Sequence, residues 1–485
     1  MKLKKIAEAI EGASLMGDGE SEITSITCDS REACKGSLFF CIKGLKTDGH
    51  NFIGKALENG ARAFCTSPGR EPAGADGTIV SADTRRAYAE AAAAFYGRPA
   101  EEMKVTGVTG TNGKTTTTFM IDHVMTRAGV KSGLIGTLMT RYDGKQTTSS
   151  VTTPDAKTLQ KTLRDMADCG VKSAVFEVSS HSLSLYRVHG IAFDAAVFTN
   201  LTRDHLDFHG TFEDYFEAKA RLFRSLKPGT GKAIINVDDP YGQRMIDVAG
   251  RDACTTYGTG KGDLSASDAK VGRDGLSYSL SFGGKTTRVE LGVSGNFNVH
   301  NSMAAIGACL ALGVPVEDSA EALRDFGGVK GRFETVRCGQ DFAAVVDYAH
   351  TPDGLDNVLG TARTIAEGRV IAVFGCGGDR DRTKRPIMGR IASDKADVAI
   401  ITSDNPRTED PEFIISEIEK GIPEGREYKK EADRKRAIFM ALGMAKPGDV
   451  VVIAGKGHEN YQIFKDRTIH FDDSEVIREY FGKNL

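Results

Sequence analysis

Long apolar runs and an excess of charge of one sign are both missing from this sequence. The longest apolar stretches, such as residues 91–96 and 450–454, are far shorter than the ~20 residues that a membrane-spanning helix needs, so membrane insertion is not expected. The 63 lysines and arginines nearly balance the 66 aspartates and glutamates, which leaves a formal charge of −3. This balance provides no broad basic field for nucleic acid or an anionic membrane, so nucleic-acid binding is not expected and any anion site must be local.

The cysteines and the N-terminal segment also lack features that would mark other classes of protein. The nine cysteines never stand in C-x-x-C spacing, which argues against a zinc ribbon or a redox pair, and we expect most of them to be reduced core residues. The basic residues after Met1 are interrupted by Glu8 and Glu11 rather than followed by an apolar segment, so no signal peptide is expected. The sequence therefore predicts a soluble, cytoplasmic protein.

Prolines are few, at 13 against 55 glycines, and the 40% apolar and 27% charged residues are typical of an ordered globular chain. At 485 residues the chain is about three times as long as a typical domain. A turn at residues 96–99 and a glycine-rich connector at residues 326–332 indicate two boundaries. We therefore predict three domains, at residues 1–100, 101–332 and 333–485.

Short apolar strands alternate with helical periods throughout the second and third predicted domains. This alternation is typical of α/β domains with mostly parallel sheets, whose strands are covered on both faces. Residues 262–293 alternate polar and apolar side chains instead, which predicts an antiparallel ribbon attached to the middle domain. The predicted fold class is therefore α/β, with a mostly parallel sheet in the middle domain.

The strongest local signal is a glycine-rich segment between a predicted strand and a predicted helix. Its residues are Gly110, Thr111, Asn112, Gly113, Lys114, Thr115 and Thr116. Such a loop points main-chain N–H groups and a helix N-terminus at phosphate, while the lysine adds a charge and the Thr115 hydroxyl can bind Mg²⁺. Val108 stands where the common form has glycine, so this is a variant loop. A plain glycine turn is the alternative, but we expect ATP or GTP.

Candidate metal ligands follow the next strands. Glu177 comes directly after an apolar strand, where open α/β sheets gather their site residues, and is a candidate magnesium ligand. His205 and His209 lie in a loop with two aspartates after the following strand. A solvated polar loop is the alternative for each residue, and His205 is the better candidate because it lies closer to the strand.

Lys219 falls on the apolar stripe of a predicted helix that begins with a capping pattern at Thr211. An ammonium there must reach solvent at its tip, pair with an anion, or lose its charge, because an unpaired buried cation costs several kcal/mol. Reaching solvent is the simpler interpretation. The alternative is a neutral amine that reacts with CO₂ to give a carbamate beside the metal, and spacing does not decide between them.

Seven motifs occur in order and together resemble those of the Mur ligase family. They are residues 110–116 (GTNGKTT), 177–181 (EVSSH), 199–205 (TNLTRDH), 217–219 (EAK), 295–301 (GNFNVHN), 331–334 (GRFE) and 347–350 (DYAH). The resemblance implies an ATP-dependent, amide-forming ligase of peptidoglycan assembly. It also implies a small N-terminal nucleotide-sugar domain, a central P-loop ATPase domain and a C-terminal Rossmann-like domain, each of α/β class.

Within this family, residues 28–31, 152–155, 375–381 and 455–459 resemble members that extend UDP-N-acetylmuramoyl-L-alanyl-D-glutamate by a third residue. The segment at residues 404–407 (DNPR) resembles the version that accepts meso-diaminopimelate. A physical reason supports this choice, since the second carboxylate of that amino acid suits a forked guanidinium, whereas lysine would bring an ammonium against it. Arg407 and Arg380 can supply this complementarity.

The resemblance also assigns roles to single residues. Those expected to bind ATP, besides the glycine-rich loop, are Asn298, Asn301, Arg332 and Asp347. Those expected to bind the UDP-muramoyl dipeptide are Ser30, Thr152, Thr153, Ser179 and Arg187, while Leu185 replaces a glutamine found in some members. Those expected to bind diaminopimelate are Arg380, Asp404, Asn405, Pro406, Arg407, Gly455 and Glu459. The expected metal ligands are Thr115, Glu177, His205 and Lys219, with Lys219 carbamylated, and the expected catalytic residues are Lys114, Lys219 and His205.

The implied reaction has two steps, in which ATP converts the glutamyl carboxylate to an acyl phosphate and the amine of diaminopimelate then displaces phosphate. Both reactants of the first step are anions, so lysine side chains and Mg²⁺ are expected to reduce their repulsion. We expect a monomer. The alternatives are a lysine-adding relative, a folylpolyglutamate synthetase, a P-loop kinase or ATPase, and a nucleotide-binding module without activity.

Overall fold

A computed structural model describes residues 1–44, 47–149, 151–273 and 275–482 of the chain. Within these residues the strands form sheets of five, eleven and six strands and a separate two-stranded ribbon. The predicted α/β class with mostly parallel sheets is confirmed. No helix among the described residues is long and apolar enough to cross a bilayer.

The first sheet has the strand order β1-β5-β4-β3-β2 and is parallel except for β1. Its elements are α1 (Leu3–Glu8), β1 (Ser14–Gly17), β2 (Ser25–Thr27), β3 (Ser37–Phe40), α2 (Ile53–Glu58), β4 (Ala63–Thr66), β5 (Gly77–Val80) and α3 (Thr84–Phe95). Helix α3 starts where the Asp83 carboxylate accepts hydrogen bonds from the first main-chain amides. Its alanine-rich face packs against the sheet.

The second sheet has the order β16-β15-β14-β13-β12-β11-β6-β10-β7-β8-β9. Its elements from residue 104 to residue 209 are β6 (Lys104–Thr109), α4 (Lys114–Arg127), β7 (Ser132–Ile135), β8 (Met139–Tyr142), β9 (Lys145–Thr148), α5 (Ala156–Asp168), β10 (Ser173–Glu177), α6 (Ser180–Ser184), β11 (Ala195–Phe198) and α7 (Leu206–His209). Those that follow are α8 (Phe212–Arg224), β12 (Lys232–Asn236), α9 (Gly242–Ala249), β13 (Cys254–Thr259), β14 (Leu264–Gly272), β15 (Gly275–Phe282), β16 (Lys285–Leu291), α10 (Phe297–Ala311) and α11 (Val316–Leu323).

The third sheet has the order β17-β18-β22-β19-β20-β21 and is parallel except for β17. Its elements, with the two-stranded ribbon, are β17 (Glu334–Thr335), β18 (Ala343–Asp347), α12 (Pro352–Ile365), β19 (Val370–Phe374), α13 (Lys384–Lys395), β20 (Val398–Ile401), α14 (Pro411–Glu419), β21 (Tyr428–Lys430), α15 (Arg434–Met444), β22 (Val450–Ala454), β23 (Tyr461–Ile463), β24 (Thr468–His470) and α16 (Asp473–Tyr480).

The central strands are apolar because both faces of the sheet are covered. In β10, Ala174 and Phe176 pack into the core on one face, while Val175 between them packs into the core on the other. The ribbon expected over residues 262–293 is present as the antiparallel strands β14, β15 and β16 at one edge of this sheet.

Strand β6 lies between β11 and β10, although β7 is the next strand along the chain. The strand order therefore changes direction at β6. In open α/β sheets, ligands bind beyond the carboxyl ends of the strands where the order changes direction. The glycine-rich loop follows β6, Glu177 ends β10, and residues 199–205 follow β11. The fold thus brings three segments that are distant in sequence to one edge of the sheet.

Candidate active site

The glycine-rich loop links β6 to α4 in a conformation that other residues would not adopt easily. Gly110 has φ 149° and Gly113 has φ 85°. A β-carbon at Gly110 would overlap the hydroxyl of Thr199, and one at Gly113 would overlap the side-chain amide oxygen of Asn301. The loop is therefore tightly enclosed, with main-chain amides at the start of α4 directed along the helix axis toward the cavity.

This loop lines a cavity of about 270 Å³ that also reaches the third sheet. Lys114, Lys219 and Arg332 line the cavity, and among the described residues none of these three forms an ion pair. Lys114 Nζ donates to the main-chain oxygens of Gly110 and Thr111, both at 2.8 Å. The cavity therefore contains three basic side chains without anionic partners, as an anion-binding site requires.

Lys219 does not reach solvent, which corrects the simpler of the two sequence-based interpretations. Its side chain is 1% exposed, and its ammonium nitrogen lies 4.4 Å from the centroid of the Tyr215 ring. Helix α8 does begin at the predicted cap, since Asp214 N donates to Thr211 Oγ1 over 3.1 Å. The periodic pattern placed the lysine on the buried face of the helix. It could not show that other segments of the chain cover the end of the side chain.

Burial lowers the pKa of Lys219 well below its usual value, and the nearby Lys114 lowers it further. Burial likewise lowers the pKa of Lys114, against the opposing effect of the Glu177 charge. Both amines are thus destabilised in their charged form, because the cost of burial exceeds the attraction of the surrounding carboxylates. An anion bound between them would raise both pKa values again.

Glu177 is buried at the end of β10 and accepts three hydrogen bonds. Its carboxylate accepts from Thr115 Oγ1 at 2.9 Å, and from the main-chain N and the hydroxyl of Thr137 at 2.7 and 3.0 Å. Among the described residues, no three His, Cys, Asp or Glu side chains are grouped as a complete metal cage. A carboxylate beside a hydroxyl still fits Mg²⁺, which keeps several waters and completes its shell with phosphate oxygens.

His205 lines the same cavity, with a left-handed backbone (φ 52°) that ends the loop before α7. Burial lowers the pKa of its imidazole to about 4, so the ring is neutral near pH 7. Neutral imidazole is the form that binds metals. His209 points elsewhere and shares a hydrogen bond of 2.9 Å with Ser180 Oγ. His181, which sequence analysis did not single out, packs its ring 4.7 Å from that of His205.

The residues assigned to the dipeptide cluster around Thr153, which is buried beside the end of β10. Thr153 Oγ1 donates to the main-chain oxygen of Glu177 at 2.8 Å and accepts from Ser179 N at 3.2 Å. Arg187 Nη1 donates to Thr153 O at 2.8 Å, and the hydroxyls of Thr137 and Thr152 lie within hydrogen-bond distance at 3.1 Å. The structure therefore brings these four assigned residues together.

Ser30 and Leu185 lie at the margins of that cluster. Ser30 is buried in the first domain, and its loop approaches the middle domain through an ion pair of 2.8 Å between Glu32 and Lys157 at the start of α5. Leu185 follows α6 and donates its main-chain N–H to His181 O. Ser30 thus does not line the nucleotide cavity and lies near the contact between Glu32 and Lys157.

The four residues assigned to ATP approach the loop from two directions. Asn298 Oδ1 accepts from Asn301 Nδ2 at 2.9 Å, and Asn301 lies against Gly113. From the other side, Arg332 Nη2 donates to Thr115 Oγ1 at 3.3 Å. Asp347 lines the cavity, and burial raises the pKa of its carboxyl.

Sequence analysis missed a direct link between the loop and the third domain. Asp353, in the first turn of α12, accepts from Asn112 Nδ2 at 2.6 Å and from Thr202 Oγ1 at 3.1 Å. The partners are separated by 241 and 151 residues along the chain. No local pattern relates them, and only the carboxylate in a helix-capping segment could have drawn attention to Asp353.

The residues assigned to diaminopimelate lie together in the third domain, beyond the carboxyl ends of β20 and β22. Asn405 Nδ2 donates to Glu459 Oε2 at 2.8 Å, and a β-carbon at Gly455 would lie 2.7 Å from Asp404 Oδ2. Lys456, which is fully buried and was not predicted, donates to Asn405 Oδ1 at 3.2 Å and to Glu459 Oε2 at 3.1 Å. This cluster does not line the nucleotide cavity.

Two arginines stand beside this cluster. Arg407 follows the buried Pro406 and has a left-handed backbone at φ 53°. Its Nη1 donates to Gly378 O at 2.9 Å. Arg380 is exposed on the neighbouring loop, and Gly377 lies close to both arginine side chains. The side chains of both arginines therefore approach the same glycine beside this cluster.

A substitution at Gly113 tests whether this loop binds the nucleotide. Gly113→Ala forces an L residue into a left-handed conformation, at about 1–2 kcal/mol, and also collides with Asn301. We expect ATP affinity, measured by calorimetric titration, to fall at least ~10-fold, which corresponds to about 1.4 kcal/mol.

Gly129→Ala is the matched control, because Gly129 has φ 77° but open space around its α-carbon and follows the far end of α4. It should lower stability through the same backbone strain and leave ATP affinity unchanged. Equal losses of ATP affinity in the two variants would contradict the assignment of the loop.

Comparisons with known proteins agree with this geometry over the whole chain. Residues 22–96, 108–309 and 331–457 match the family models described as Mur ligase family catalytic domain, Mur ligase middle domain, and Mur ligase glutamate ligase domain. Curated proteins named UDP-N-acetylmuramoyl-L-alanyl-D-glutamate--2,6-diaminopimelate ligase are similar over 99% of both chains, at 47% identity in Clostridium acetobutylicum and 46% in Clostridium botulinum.

Solved structures show the same similarity. A structure of a UDP-N-acetylmuramoyl-L-alanyl-D-glutamate--2,6-diaminopimelate ligase matches 99% of both chains with a TM-score of 0.72 and 34% identity. MurF from Acinetobacter baumannii matches with a TM-score of 0.67 at 20% identity over 99% of both chains. Folylpolyglutamate synthase from Mycobacterium tuberculosis matches with a TM-score of 0.65 at 17% identity over 83% of this chain and 95% of that one. The last two likenesses concern the fold alone.

Proposed function

Because this chain belongs to the Mur ligase family, whose members join acids to amines with ATP, we propose that it adds meso-diaminopimelate to UDP-N-acetylmuramoyl-L-alanyl-D-glutamate in peptidoglycan biosynthesis. The observation that carries the proposal is the 47% identity over 99% of both chains with a ligase named for this reaction. The basic cavity and the pair of arginines beside the Asn405 cluster support it independently. ATP would be converted to ADP and phosphate.

In the proposed first step, the glutamyl carboxylate attacks the γ-phosphorus of ATP, a P–O bond to ADP breaks, and an acyl phosphate forms. The reacting groups are both anions, so their approach is opposed by repulsion. Lys114, Lys219 and Arg332 offset that repulsion at fixed positions, and such preorganised charge is the largest contribution in many enzymes. Main-chain amides of the loop residues Gly110 to Thr116, together with Asn298, Asn301 and Asp347, hold the nucleotide in place.

Mg²⁺ fits the cavity, because a hydroxyl and a carboxylate oxygen already lie 2.9 Å apart at Thr115 and Glu177. We propose that these two residues hold one ion and that His205 and a modified Lys219 help to hold a second. When bound, the ions would neutralise charge on the phosphate oxygens. The basic side chains would still align the carboxylate with the phosphate.

The buried amine of Lys219 supports carbamylation. A neutral amine attacks the carbon of CO₂, a C–N bond forms, and one proton leaves, so the product is an anionic carbamate. The burial that lowers the pKa of Lys219 supplies the neutral amine that this step needs. Conversion of the Lys219 side chain to an anion would also remove the repulsion between its charged form and Lys114.

In the proposed second step, the amine of diaminopimelate attacks the acyl carbon and phosphate leaves. Asp404, Asn405, Gly455 and Glu459 would bind the amino and carboxyl groups at one end. Arg407 and Arg380 would bind the carboxylate at the far end, where lysine has none, and this difference favours diaminopimelate. Pro406 keeps Asn405 and Arg407 oriented on the same turn.

The muramoyl dipeptide would extend from Ser30 in the first domain to Thr152, Thr153, Ser179 and Arg187 beside Glu177. All proposed ligand-binding groups come from one chain, so a monomer suffices. Monomeric state and cytoplasmic location remain predictions. The likeness to folylpolyglutamate synthase is confined to the fold, and Arg407 argues against a preference for lysine.

An amino-acid panel with a variant of Arg407 tests the substrate. The wild type, with ATP and UDP-muramoyl dipeptide, should release phosphate with meso-diaminopimelate and far less with lysine. Arg407→Ala should lower kcat/KM for diaminopimelate by at least ~30-fold, because loss of a buried charge partner costs about 2–5 kcal/mol. The KM for ATP should stay within about twofold, since Arg407 lies outside the nucleotide cavity.

The matched control is Arg390→Ala, which removes an exposed arginine whose ion pair with Asp394 lies within α13. It should leave both kinetic parameters unchanged. If Arg407→Ala weakens the use of ATP as much as that of diaminopimelate, the arginine does not select the amino acid.

Substitution of Lys219 tests the carbamate. Lys219→Ala should abolish turnover, and formate or acetate should restore part of it, because a small carboxylate can occupy the vacated space. Lys114→Ala should also lose turnover but should gain nothing from these acids, since it lacks a cation rather than an anion. Full activity of Lys219→Ala without added acid would exclude a catalytic carbamate.

A further inference from the structure

The two arginines assigned to diaminopimelate, Arg380 and Arg407, stand on separate loops, residues 375–383 after β19 and residues 402–410 after β20. The loops are in direct contact. Gly378 N donates to Asn405 O at 2.9 Å, and a β-carbon at Gly378 would overlap the main-chain oxygen of Pro406. The distance between the arginines therefore depends on how these loops are held against each other.

Glu409 of the second loop pairs with the exposed Arg382 of the first loop at 2.9 Å, and a buried ion pair strengthens this connection. Arg385, at the start of α13, is 0% exposed, and its two terminal nitrogens contact Glu409 at 3.0 and 2.9 Å. Arg385 Nη1 also pairs with Glu417 on α14, while Nη2 donates to Gly377 O at 3.3 Å. A planar guanidinium thus contacts the first loop, the second loop and the following helix at once.

Glu409 completes the connection from the second loop. Its Oε1 accepts from Asp379 N at 2.6 Å, and the carboxylate of Asp379 in turn accepts from Thr408 Oγ1 at 2.6 Å. The Arg385 guanidinium lowers the pKa of Glu409 to about 2, so the carboxylate is ionised across the physiological range. Asp379 has φ 54°, a strained conformation for a residue with a side chain, and these contacts hold it.

We propose that the Arg385–Glu409 ion pair is a positioning unit that fixes the separation of Arg380 and Arg407 and thereby favours a diamino diacid over lysine. The inference rests on the proposed function. A charge-based selector discriminates only if both guanidinium groups are preorganised, because ordering loose side chains on binding reduces the affinity gained. Neither Arg385 nor Glu409 is assigned to diaminopimelate; both act through the loops.

A purely structural role is the alternative, since a buried arginine with two carboxylates also affects stability. The chain offers a matched ion pair at the other end of the strands of the same sheet, where β19 and β22 begin. Asp449, just before β22, accepts from Arg369 N at 2.7 Å and from Arg369 Nη2 at 2.8 Å and is 3% exposed. Asp449→Asn and Glu409→Gln therefore remove the same charge from similar hydrogen-bonding environments.

The test measures KM for meso-diaminopimelate, KM for ATP, the preference for diaminopimelate over lysine, and melting temperature. We expect Glu409→Gln to raise KM for diaminopimelate by at least ~10-fold and to reduce the preference by at least ~10-fold, with KM for ATP within about twofold. Asp449→Asn should lower the melting temperature similarly but change KM for diaminopimelate by less than about twofold.

Asp379→Asn is a second variant that keeps the fold, because Asp379 is exposed and asparagine tolerates its positive φ. It should change KM and preference in the same direction as Glu409→Gln, by about threefold, since it weakens one link only. If Glu409→Gln does not fold, the KM for diaminopimelate and the preference over lysine of Asp379→Asn test the proposal instead.

Two outcomes would overturn the inference: equal effects of Glu409→Gln and Asp449→Asn on KM for diaminopimelate, or an unchanged preference in both loop variants. A wild type that does not use diaminopimelate would instead overturn the proposed function. That result would be seen before any variant is assayed, so the two failures are distinguishable.

Discussion

Three basic side chains that line one cavity without an ion pair among the described residues are the constraint on which the site depends. Lys114 donates to main-chain oxygens, the buried Lys219 faces an aromatic ring, and Arg332 contacts a hydroxyl. Burying a charge without a partner is unfavourable, and the lowered pKa values of both lysines express that cost. The protein thus holds a site that is destabilised when empty and that phosphate and carboxylate anions would stabilise.

The fold maintains this arrangement by joining segments that are distant in the chain. Strand β6 delivers the glycine-rich loop between β10 and β11, which bring Glu177 and the His205 loop to the same edge. Arg332, in the connector before β17, and Asp353, on α12, close the far side. The nucleotide loop therefore contacts the part of the chain that carries the residues assigned to the amino acid, so the nucleotide and acceptor sites share a structural connection.

Local patterns in the sequence were sufficient to predict those features of the structure that depend on neighbouring residues. The α/β alternation, the ribbon at residues 262–293 and the cap at Thr211 are each set by residues within a few positions, and the structure has all of them. The grouping of the glycine-rich loop, Glu177 and His205 was predictable because carboxyl ends of parallel strands meet at one edge.

Features that depend on distant segments were not predictable. The stripe on α8 located Lys219 but could not show whether its tip was covered. The contact of Asp353 with Asn112 spans 241 residues, and the buried pair of Arg434 with Asp473 spans 39. Arginine is ordinarily an exposed residue, so composition gives no sign that Arg385 and Arg434 are fully buried.

The central claim is that the basic cavity brings a carboxylate onto the γ-phosphorus of ATP, and oxygen transfer tests it most directly. The glutamyl carboxylate of the UDP-muramoyl dipeptide is labelled with ¹⁸O, and the phosphate released in the presence of diaminopimelate is examined by mass spectrometry. The account predicts that each phosphate carries one labelled oxygen from the carboxylate. Phosphate without label, released together with the ligated product, would contradict it.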